Sequence, residues 1–379
     1  MSGSGSGAPG GARRGGSTKV AVIYGRQYTR KELLKHVGDI SQIAGIRSVR
    51  LQDGPEDAVR ALEFKTGSGF QFDVLADRGF DISNASHNGR ALNWRSATSD
   101  QHPAHFEPEG LGWLRTFYGG LVLTCGLSQA GAPCEDQGQQ LGLHGRISHT
   151  PAREVSVRQY WDGDEFILEA RGRMRESVVF GENLCLERTI SSALGSNRLR
   201  IRDTVTNEGY ETRPHMMLYH INIGFPVVDA GSRILAPSIS SVPRDERAQV
   251  EPEKWMEMLP PTPAFEERVY FHTMNADSEG YVTVALVNEN LPGGPFGVWV
   301  RYRQDTLPRF AEWKMNGAGV YTCGLEPANC SVLGRAKERE AGTLVHLEPW
   351  ESREYDVEIG VIESEAELAR VRAAIEACL

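Results

Sequence analysis

Short segments in which apolar and polar residues alternate constrain this chain more than any other feature of its sequence. They recur at residues 62–65, 70–74, 282–286, 298–302 and 355–359, among others, and small polar turn clusters separate them. Neighbouring residues of a strand point to opposite faces, so alternation indicates strands with one buried and one wet face. The sequence shows no regular alternation of strand and helix patterns, which argues against doubly wound and TIM-barrel folds. The sequence therefore predicts an all-β protein built as a large antiparallel sandwich.

Two segments have helical patterns and predict peripheral helices. Residues 29–37 begin with Thr29 as the N-cap, and Glu32 completes a capping box. Residues 363–377 carry an apolar stripe at helical spacing. That stripe consists of Leu368, Val371 and Ile375. We expect this second helix to pack on an edge of the sandwich.

The composition divides the chain into a short tail and one folded unit. Residues 1–18 are rich in Gly and Ser and lack an apolar core, which predicts a flexible tail and not a secretory signal. Residues 19–379 show no internal repeat or linker, so we expect a single β-sandwich domain. Residues 240–270 are rich in Pro and charged residues and predict a long excursion, which in a compact domain is usually functional or a lid.

Charge and cysteine usage exclude several classes of protein. The net charge of −9 is spread along the chain without a long basic stretch, which argues against nucleic acid as a partner. No window of about 18 apolar residues occurs, so we expect no membrane span. The six cysteines are dispersed without a CxxC pair, which favours reduced thiols and a cytoplasmic protein. Cys125 and Cys323 lie in apolar sequence and are predicted core residues.

Four segments place polar or ionisable residues inside apolar, Gly-containing strand sequence. The first is DRGFDI at residues 77–82, where Arg78 follows an alternating strand and precedes a Gly. The guanidinium of an Arg at this place can donate two parallel hydrogen bonds to sugar hydroxyls or to a carboxylate. The alternative is an ion pair with Asp77 or Asp81 that closes a turn.

The second segment brings a histidine next to a glycine after an apolar run. Residues 119–126 (GGLVLTCG) precede LHGRIS at residues 143–148. A ligand can approach the ring of His144 because Gly145 has no side chain. The alternative is an ordinary histidine on a surface loop.

The third segment is MMLYHINIGFP at residues 216–226, in which His220 and Asn222 lie two apart and therefore on one face of a strand. Burying both polar side chains costs a few kcal/mol unless they find a partner. The paired spacing therefore favours a polar pocket over a structural role.

The fourth segment combines EWKM at residues 312–315 with YTCGLEPAN at residues 321–329. Glu326 ends an apolar strand just before a Pro, where burial can raise its pKa and suit it to act as a base. Trp313 can either stack on a pyranose face or pack in the core. Lys314 can bind an anionic group.

The order of these motifs resembles that of the aldose 1-epimerase (galactose mutarotase-like) superfamily. His144-Gly145, His220 with Asn222, and Leu325-Glu326-Pro327 follow the order of its HG segment, its second-histidine strand and its late glutamate. The likeness spans about residues 60 to 360, and only the motif segments are close. DRGFDI, LHGR, YHxNxGxP and LEP make the chain most similar to an uncharacterised bacterial aldose-1-epimerase-like family.

The resemblance implies a galactose mutarotase-like supersandwich with an open sugar cleft and a few peripheral helices. It implies Glu326 as the base, His220 as the acid that protonates the ring oxygen, and His144 as a ligand or auxiliary acid, with neither metal nor organic cofactor. The acid and base should lie on opposite sides of the C1–O5 bond, separated by a gap the size of a sugar ring. The residues expected to bind substrate are Arg78, Asn222, Arg146, Trp313 and Lys314.

The chain departs from known branches in two places, and other functions stay open. Tyr118 stands where the hexose-phosphate branch has Arg, and the Asn-Arg-Ile segment of galactose mutarotases is absent, so neither a sugar phosphate nor galactose is implied. A second reading is a lyase or hydrolase of a keto-sugar or glycoside, with a divalent metal on His144, His220 and Glu326. A third is a non-catalytic sugar-binding module. In each case we expect a small carbohydrate ligand and a monomer or homodimer.

Overall fold

Antiparallel sheets account for most of the chain in the computed structural model, which describes residues 20–379. The all-β prediction is therefore confirmed. The flexible tail predicted for residues 1–18 lies outside the described residues. Within residues 20–379, no helix has the length and apolar character needed to cross a membrane.

The elements are numbered along the chain. The strands are β1 (Ala21–Ile23), β2 (Arg26–Tyr28), β3 (Gly45–Arg50), β4 (Arg60–Lys65), β5 (Phe70–Leu75), β6 (Asp81–His87), β7 (Arg90–Ala91), β8 (Leu123–Leu127), β9 (Cys134–Asp136), β10 (Gln139–Leu141), β11 (Arg153–Asp162), β12 (Glu165–Ser177), β13 (Asn183–Ala193), β14 (Arg198–Asn207), β15 (Arg213–Pro214), β16 (Met216–Ile223), β17 (Arg233–Leu235), β18 (Ser238–Pro243), β19 (Arg268–Met274), β20 (Tyr281–Asn288), β21 (Phe296–Arg303), β22 (Arg309–Gly317), β23 (Val320–Ala328), β24 (His346–Leu347) and β25 (Ser352–Ile362). The α-helices are α1 (Arg30–Leu33), α2 (Arg335–Glu340) and α3 (Glu365–Glu376). Short 3-10 turns occur at Ile40–Gln42, Gly54–Glu56, Pro103–His105, Gly112–Thr116, Ile147–His149, Glu246–Gln249 and Pro252–Lys254.

Three large sheets carry the architecture. The largest has eight strands in the order β11-β12-β13-β14-β25-β21-β20-β17. A six-stranded sheet has the order β18-β19-β22-β23-β16-β8, and a five-stranded sheet runs β3-β4-β5-β6-β7. Three two-stranded ribbons, β1-β2, β9-β10 and β15-β24, complete the set. Every strand pair in this part of the chain is antiparallel, as the alternating sequence segments predict.

The main core lies between the inner faces of these sheets. The eight-stranded sheet contributes residues such as Leu186 and Val357, the six-stranded sheet contributes Ile221 and Leu325, and the five-stranded sheet contributes Phe72. A second, smaller core covers the other face of the six-stranded sheet. Both faces of that sheet are therefore buried, and β16 and β23 are buried along nearly their whole length.

The predicted helices form at the periphery. Thr29 caps α1 with the predicted capping box, although the helix is shorter than the sequence suggests. The apolar stripe of α3 is buried against the outer face of the eight-stranded sheet. Residues 244–267, within the predicted excursion, connect β18 to β19 and contain two of the 3-10 turns.

Candidate active site

The strand β16 turns two different sets of side chains toward two cores. Tyr219 and Ile221 point into the main core, whereas Leu218 belongs to the second core on the opposite face. Because alternate residues share a face, His220 and Asn222 lie on the side of the second core. Both side chains are buried there, as the paired spacing in the sequence predicts.

The register between β16 and β23 places Glu326 beside His220. Asn222 pairs with Gly324 and Leu218 pairs with Ala328, so His220 lies opposite Glu326 on the same face. Glu326 Oε1 is 3.3 Å from His220 Nε2, and only 5% of His220 and 2% of Glu326 is exposed. A Cβ at Gly324 would come within 2.6 Å of Glu326 Oε1, so the glycine leaves the space that the carboxyl occupies.

Aromatic rings form the wall around this pair. The Trp313 ring lies 5.4 Å from the His220 ring, and the Phe117 ring lies 5.3 Å from it. Trp94 contacts both Trp313 and Phe117 edge-on, at 5.9 and 5.6 Å between centroids. Trp113 stacks on Phe117 at 4.5 Å. Aromatic faces and edges of this kind suit the apolar face of a sugar ring.

His144 reaches the pair from a loop, not from a strand. Its backbone has a φ of 56°, and Gly145 follows with a φ of 75° where any Cβ would collide with backbone carbonyls 2.2 and 2.3 Å away. The His144 ring lies 5.7 Å from the His220 ring, edge to face. The Gly131 N–H donates to His144 Nδ1 at 3.3 Å, which assigns the ring proton to Nε2. His144 is partly exposed as a residue, although its ring lies deep enough for burial to lower its pKa.

Three polar atoms of this site have no hydrogen-bond partner in the described structure. They are His220 Nδ1, Asn222 Oδ1 and Glu326 Oε1, whose 3.3 Å contact with His220 Nε2 lacks hydrogen-bond geometry. Asn222 uses its amide N–H groups on the carbonyls of Gly119 and His220, at 3.2 and 3.0 Å, which leaves its oxygen free. Burying such atoms costs free energy unless a ligand or water supplies the missing bonds, so the cluster points to a bound polar molecule.

Burial drives the site toward its uncharged form. It raises the pKa of Glu326 to about 8, and the negative charge of Glu267 adds to that rise. Burial also holds the pKa of His220 well below its usual range, with repulsion from His144 in the same direction. The pKa of His144 falls to about 4 through burial. At neutral pH the adjacent pair is therefore a carboxylic acid and a neutral imidazole.

The separation of the pair differs from the expected gap. The resemblance implies His220 and Glu326 on opposite sides of the reacting bond with a sugar ring between them, whereas their polar atoms are 3.3 Å apart. They are cross-strand neighbours, and the spacing of strands in a sheet leaves no room for a ring between such residues. A substrate has to approach both groups from the same side.

Arg78 does not point into this site. It is fully buried, and its guanidinium donates to the carbonyls of Ser148, Gln101 and Thr116 at 2.8, 2.7 and 2.9 Å. The group also lies 4.9 Å from the Tyr118 ring. The expected sugar contact is thus not what the geometry provides, and neither is the alternative ion pair with a neighbouring Asp. The guanidinium instead ties three loops together behind the aromatic wall.

Lys314 is also placed away from the site, because it follows Trp313 on the same strand and therefore faces the opposite side of the sheet. It is buried, and its ammonium group donates to the carbonyls of Lys254 at 2.7 Å and of Glu257. The expected contact with an anionic substrate group does not fit this position, since the donors of Lys314 hold the excursion.

The other predicted residues are divided between the wall and the surface. Trp313 lies in the wall and is partly exposed. Arg146 follows the His144-Gly145 loop with an exposed side chain and begins a 3-10 turn.

Sequence reasoning missed several residues that complete the site. They are Trp94, Trp113, Phe117, Glu267 and Gly324. The first three come from irregular segments, where no periodicity indicates direction. The spacing of Trp113 and Phe117, four residues apart within WLRTF, is the one signal that could have paired two of them.

A wide cleft of the described structure lies away from this site. It has a volume of about 690 Å³ and covers the outer face of the eight-stranded sheet beside β1. Its charged groups pair with one another, as Arg198 does with Glu358 at 3.1 Å and Arg370 with Glu367 at 2.7 Å. Such pairs are typical of a solvated sheet face, whereas unpartnered buried groups mark the site around His220.

Comparison with known proteins identifies the family and the fold of this chain. The family model described as Domain of unknown function (DUF4432) matches residues 56–361. No curated protein matches the sequence.

Solved structures share the galactose mutarotase-like sandwich. A candidate aldose 1-epimerase from Klebsiella pneumoniae is 26% identical, with 88% of this chain and 87% of that one covered and a TM-score of 0.84. A galactose mutarotase-like protein from Clostridium acetobutylicum is 13% identical, with 85% and 99% covered and a TM-score of 0.56. The galactose 1-epimerase of Lactobacillus acidophilus is 12% identical, with 85% and 100% covered and a TM-score of 0.54. The predicted fold class is confirmed.

Proposed function

The chain belongs to the family described as Domain of unknown function (DUF4432), and from its site we propose that it is a carbohydrate-active isomerase of the aldose 1-epimerase type. One observation carries the proposal. Glu326 and His220 lie side by side within 3.3 Å, buried and under an aromatic wall, with unpartnered atoms on both side chains. The names of the structural neighbours favour the same reaction class.

The chemistry needs two proton transfers around one carbon atom. Opening a sugar ring removes the proton of the anomeric hydroxyl and adds a proton to the ring oxygen, and both oxygens are bonded to C1. Two groups that are close neighbours can therefore reach both oxygens from one side. This arrangement replaces the gap expected from the resemblance.

The protonation state of the pair suggests which group does what. The carboxylic acid of Glu326 donates its proton to the ring oxygen as the C1–O5 bond breaks, and the neutral His220 imidazole accepts the proton of the anomeric hydroxyl. The C1 end then rotates, and ring closure returns both protons. These roles are the reverse of those implied by the resemblance, and they follow from the raised pKa of Glu326 and the lowered pKa of His220.

The remaining groups of the site orient the sugar. Asn222 Oδ1 and the Nε2–H of His144 can bind hydroxyls, and Trp313 can stack on the ring. The reaction requires no metal or organic cofactor. Within residues 20–379, no group of three His, Cys, Asp or Glu side chains is placed to hold a metal ion.

The test is anomer exchange measured by NMR across hexoses, deoxy sugars, keto sugars and uronates. Glu326→Gln and His220→Asn should each lower turnover of an accepted sugar by roughly 10²–10⁴-fold with little loss of folding. The matched control is Glu338→Gln, which alters a buried glutamate on α2 outside the site and should leave turnover unchanged.

The pH dependence of exchange separates the two role assignments. If Glu326 is the acid, turnover falls as the pH rises through about 8, because the carboxyl loses the proton that it donates. If Glu326 is the base, turnover rises over the same range. A sugar that binds without any acceleration of exchange would contradict the isomerase and indicate the sugar-binding module.

A further inference from the structure

Two residues at the ends of the excursion form a chain of contacts into the site. Arg244 follows β18 and Glu267 precedes β19, so the hairpin brings both to the base of the excursion. Trp313 pairs with Val269 across the strands, and Glu267 lies two residues earlier on the same face. The register thus directs the Glu267 side chain toward the Trp313 indole.

The Glu267 carboxylate is held at both of its oxygens. Its Oε2 accepts the indole N–H of Trp313 at 2.9 Å, and its Oε1 accepts from Arg244 at 2.9 Å. Arg244 also donates to Asp245 at 2.7 Å. A carboxylate fixed at both ends cannot rotate freely, so it fixes the plane of the indole that forms the wall beside His220.

The excursion that carries these residues is anchored over its length. Lys314 donates to the carbonyl of Lys254 at 2.7 Å, Tyr321 to the carbonyl of Leu259 at 2.6 Å, and Arg268 to that of Val250 at 2.9 Å. These bonds fasten the excursion to the six-stranded sheet. The middle of the excursion is thus held on the opposite side of that sheet, and its two ends, Arg244 and Glu267, approach the site.

The same carboxylate places a negative charge at the site. Burial is the main cause of the raised pKa of Glu326; the charge of Glu267 raises that pKa further, whereas its partner Arg244 lowers it. The ionisable groups around Glu326 are His220 on β16, His144 on the loop, Glu312 on β22, and Glu267 and Arg244 on the excursion. Among these, Glu312 faces away from the site.

We propose that Glu267 is a positioning residue of this site: its carboxylate fixes the Trp313 indole beside His220 and presents a negative charge to the Glu326 carboxyl. It does so without touching the reacting atoms. Its importance for catalysis rests on the proposed isomerase function, whereas its effects on Trp313 and Glu326 do not.

The experiment compares three variants in the full chain. Glu267→Gln keeps an oxygen that accepts the indole N–H but removes the charge, and Trp313→Phe removes the indole N–H but keeps the charge. Glu266→Gln is the matched control, because it removes a charge from the adjacent, exposed position. The protonation of Glu326 is followed by the infrared absorption of its carboxyl group, identified by its loss in Glu326→Gln.

Glu267→Gln should shift the titration midpoint of Glu326 to lower pH by roughly half a unit, while Glu266→Gln should leave it in place. Trp313→Phe should leave the titration midpoint of Glu326 unchanged, because it keeps the charge of Glu267. If a sugar is turned over, Glu267→Gln should shift the alkaline limb of its pH profile in the same direction, and Trp313→Phe should raise KM more than it lowers kcat.

If Glu326 titrated with the same midpoint in Glu267→Gln as in Glu266→Gln, the proposal would be overturned. The infrared titration needs no substrate, so its outcome is independent of whether the isomerase proposal holds. Absence of exchange with every sugar, together with a shifted midpoint in Glu267→Gln, would contradict the isomerase and retain the assignment of Glu267.

Discussion

Replacing Glu326 by Gln should stabilise the folded protein at alkaline pH, because the fold holds this carboxyl in its protonated form. The pKa of Glu326 is about 8 in the folded state, against an ordinary value of 4.5. Between these values the folded state binds more protons than the unfolded state, so stability falls as the pH rises. The contribution of such a group to the stability of the folded state is fully present below its unfolded pKa and is lost above its folded pKa.

The size of the effect follows from the same two values. Each pH unit between 4.5 and 8 costs about 1.4 kcal/mol, so the carboxyl costs about 5 kcal/mol of stability once both states are ionised. Glutamine has nearly the same shape and carries no charge at any pH. The free energy of unfolding of Glu326→Gln, relative to that of the wild type, should therefore rise by about 5 kcal/mol between mildly acid and alkaline pH.

Urea denaturation of both proteins over this pH range measures the difference directly. The wild-type curve alone is not diagnostic, because Asp81, Glu176 and Glu312 also have pKa values raised by burial. The difference between the two proteins isolates Glu326. A difference that stays constant with pH, or that favours the wild type more as pH rises, would refute the protonated resting state and with it the role of Glu326 as the acid.

Three further predictions test the surroundings of the site. Gly324→Ala places a Cβ within 2.6 Å of Glu326 Oε1, so it should displace the carboxyl and reduce sugar exchange at a folding cost of about 1–3 kcal/mol, measured by NMR and urea melts. Arg78→Lys should cost about 2–4 kcal/mol of stability, because an ammonium group cannot satisfy three carbonyls in different directions, while a change confined to sugar affinity would restore the substrate-binding interpretation. Lys314→Met should speed proteolysis within residues 244–267 and lower stability by about 1–3 kcal/mol, whereas the exposed Lys337→Met should do neither.

The fold was predictable because its main signal is local. Alternation along residues 62–65 or 355–359 indicates strands without any knowledge of their partners, and the stripe of α3 indicates a helix in the same way.

The site was predictable only in part. His220 and Asn222 share a face by spacing alone, but their pairing with Glu326 depends on register, and a slip of one residue would turn Glu326 to the other side.

The misplaced residues show where local reasoning ends. Trp313 and Lys314 were both expected to contact the substrate, yet adjacent residues of a strand cannot face the same side. The alternation that predicted the fold was enough to exclude that pair. Arg78 is different, because its partners come from three separate loops that no spacing in the sequence brings together.

The burial of both faces of β16 has a consequence for how this protein can change over generations. Deleting or inserting one residue in β16 would exchange its two faces, so that Tyr219 and Ile221 would enter the site and His220 and Asn222 would enter the main core. Point substitutions can adjust this strand one side chain at a time, but a change of length cannot be absorbed locally. Length variation among related sequences should therefore concentrate in exposed turns such as Asp162-Gly163-Asp164, and β16 should keep its length even where its composition drifts.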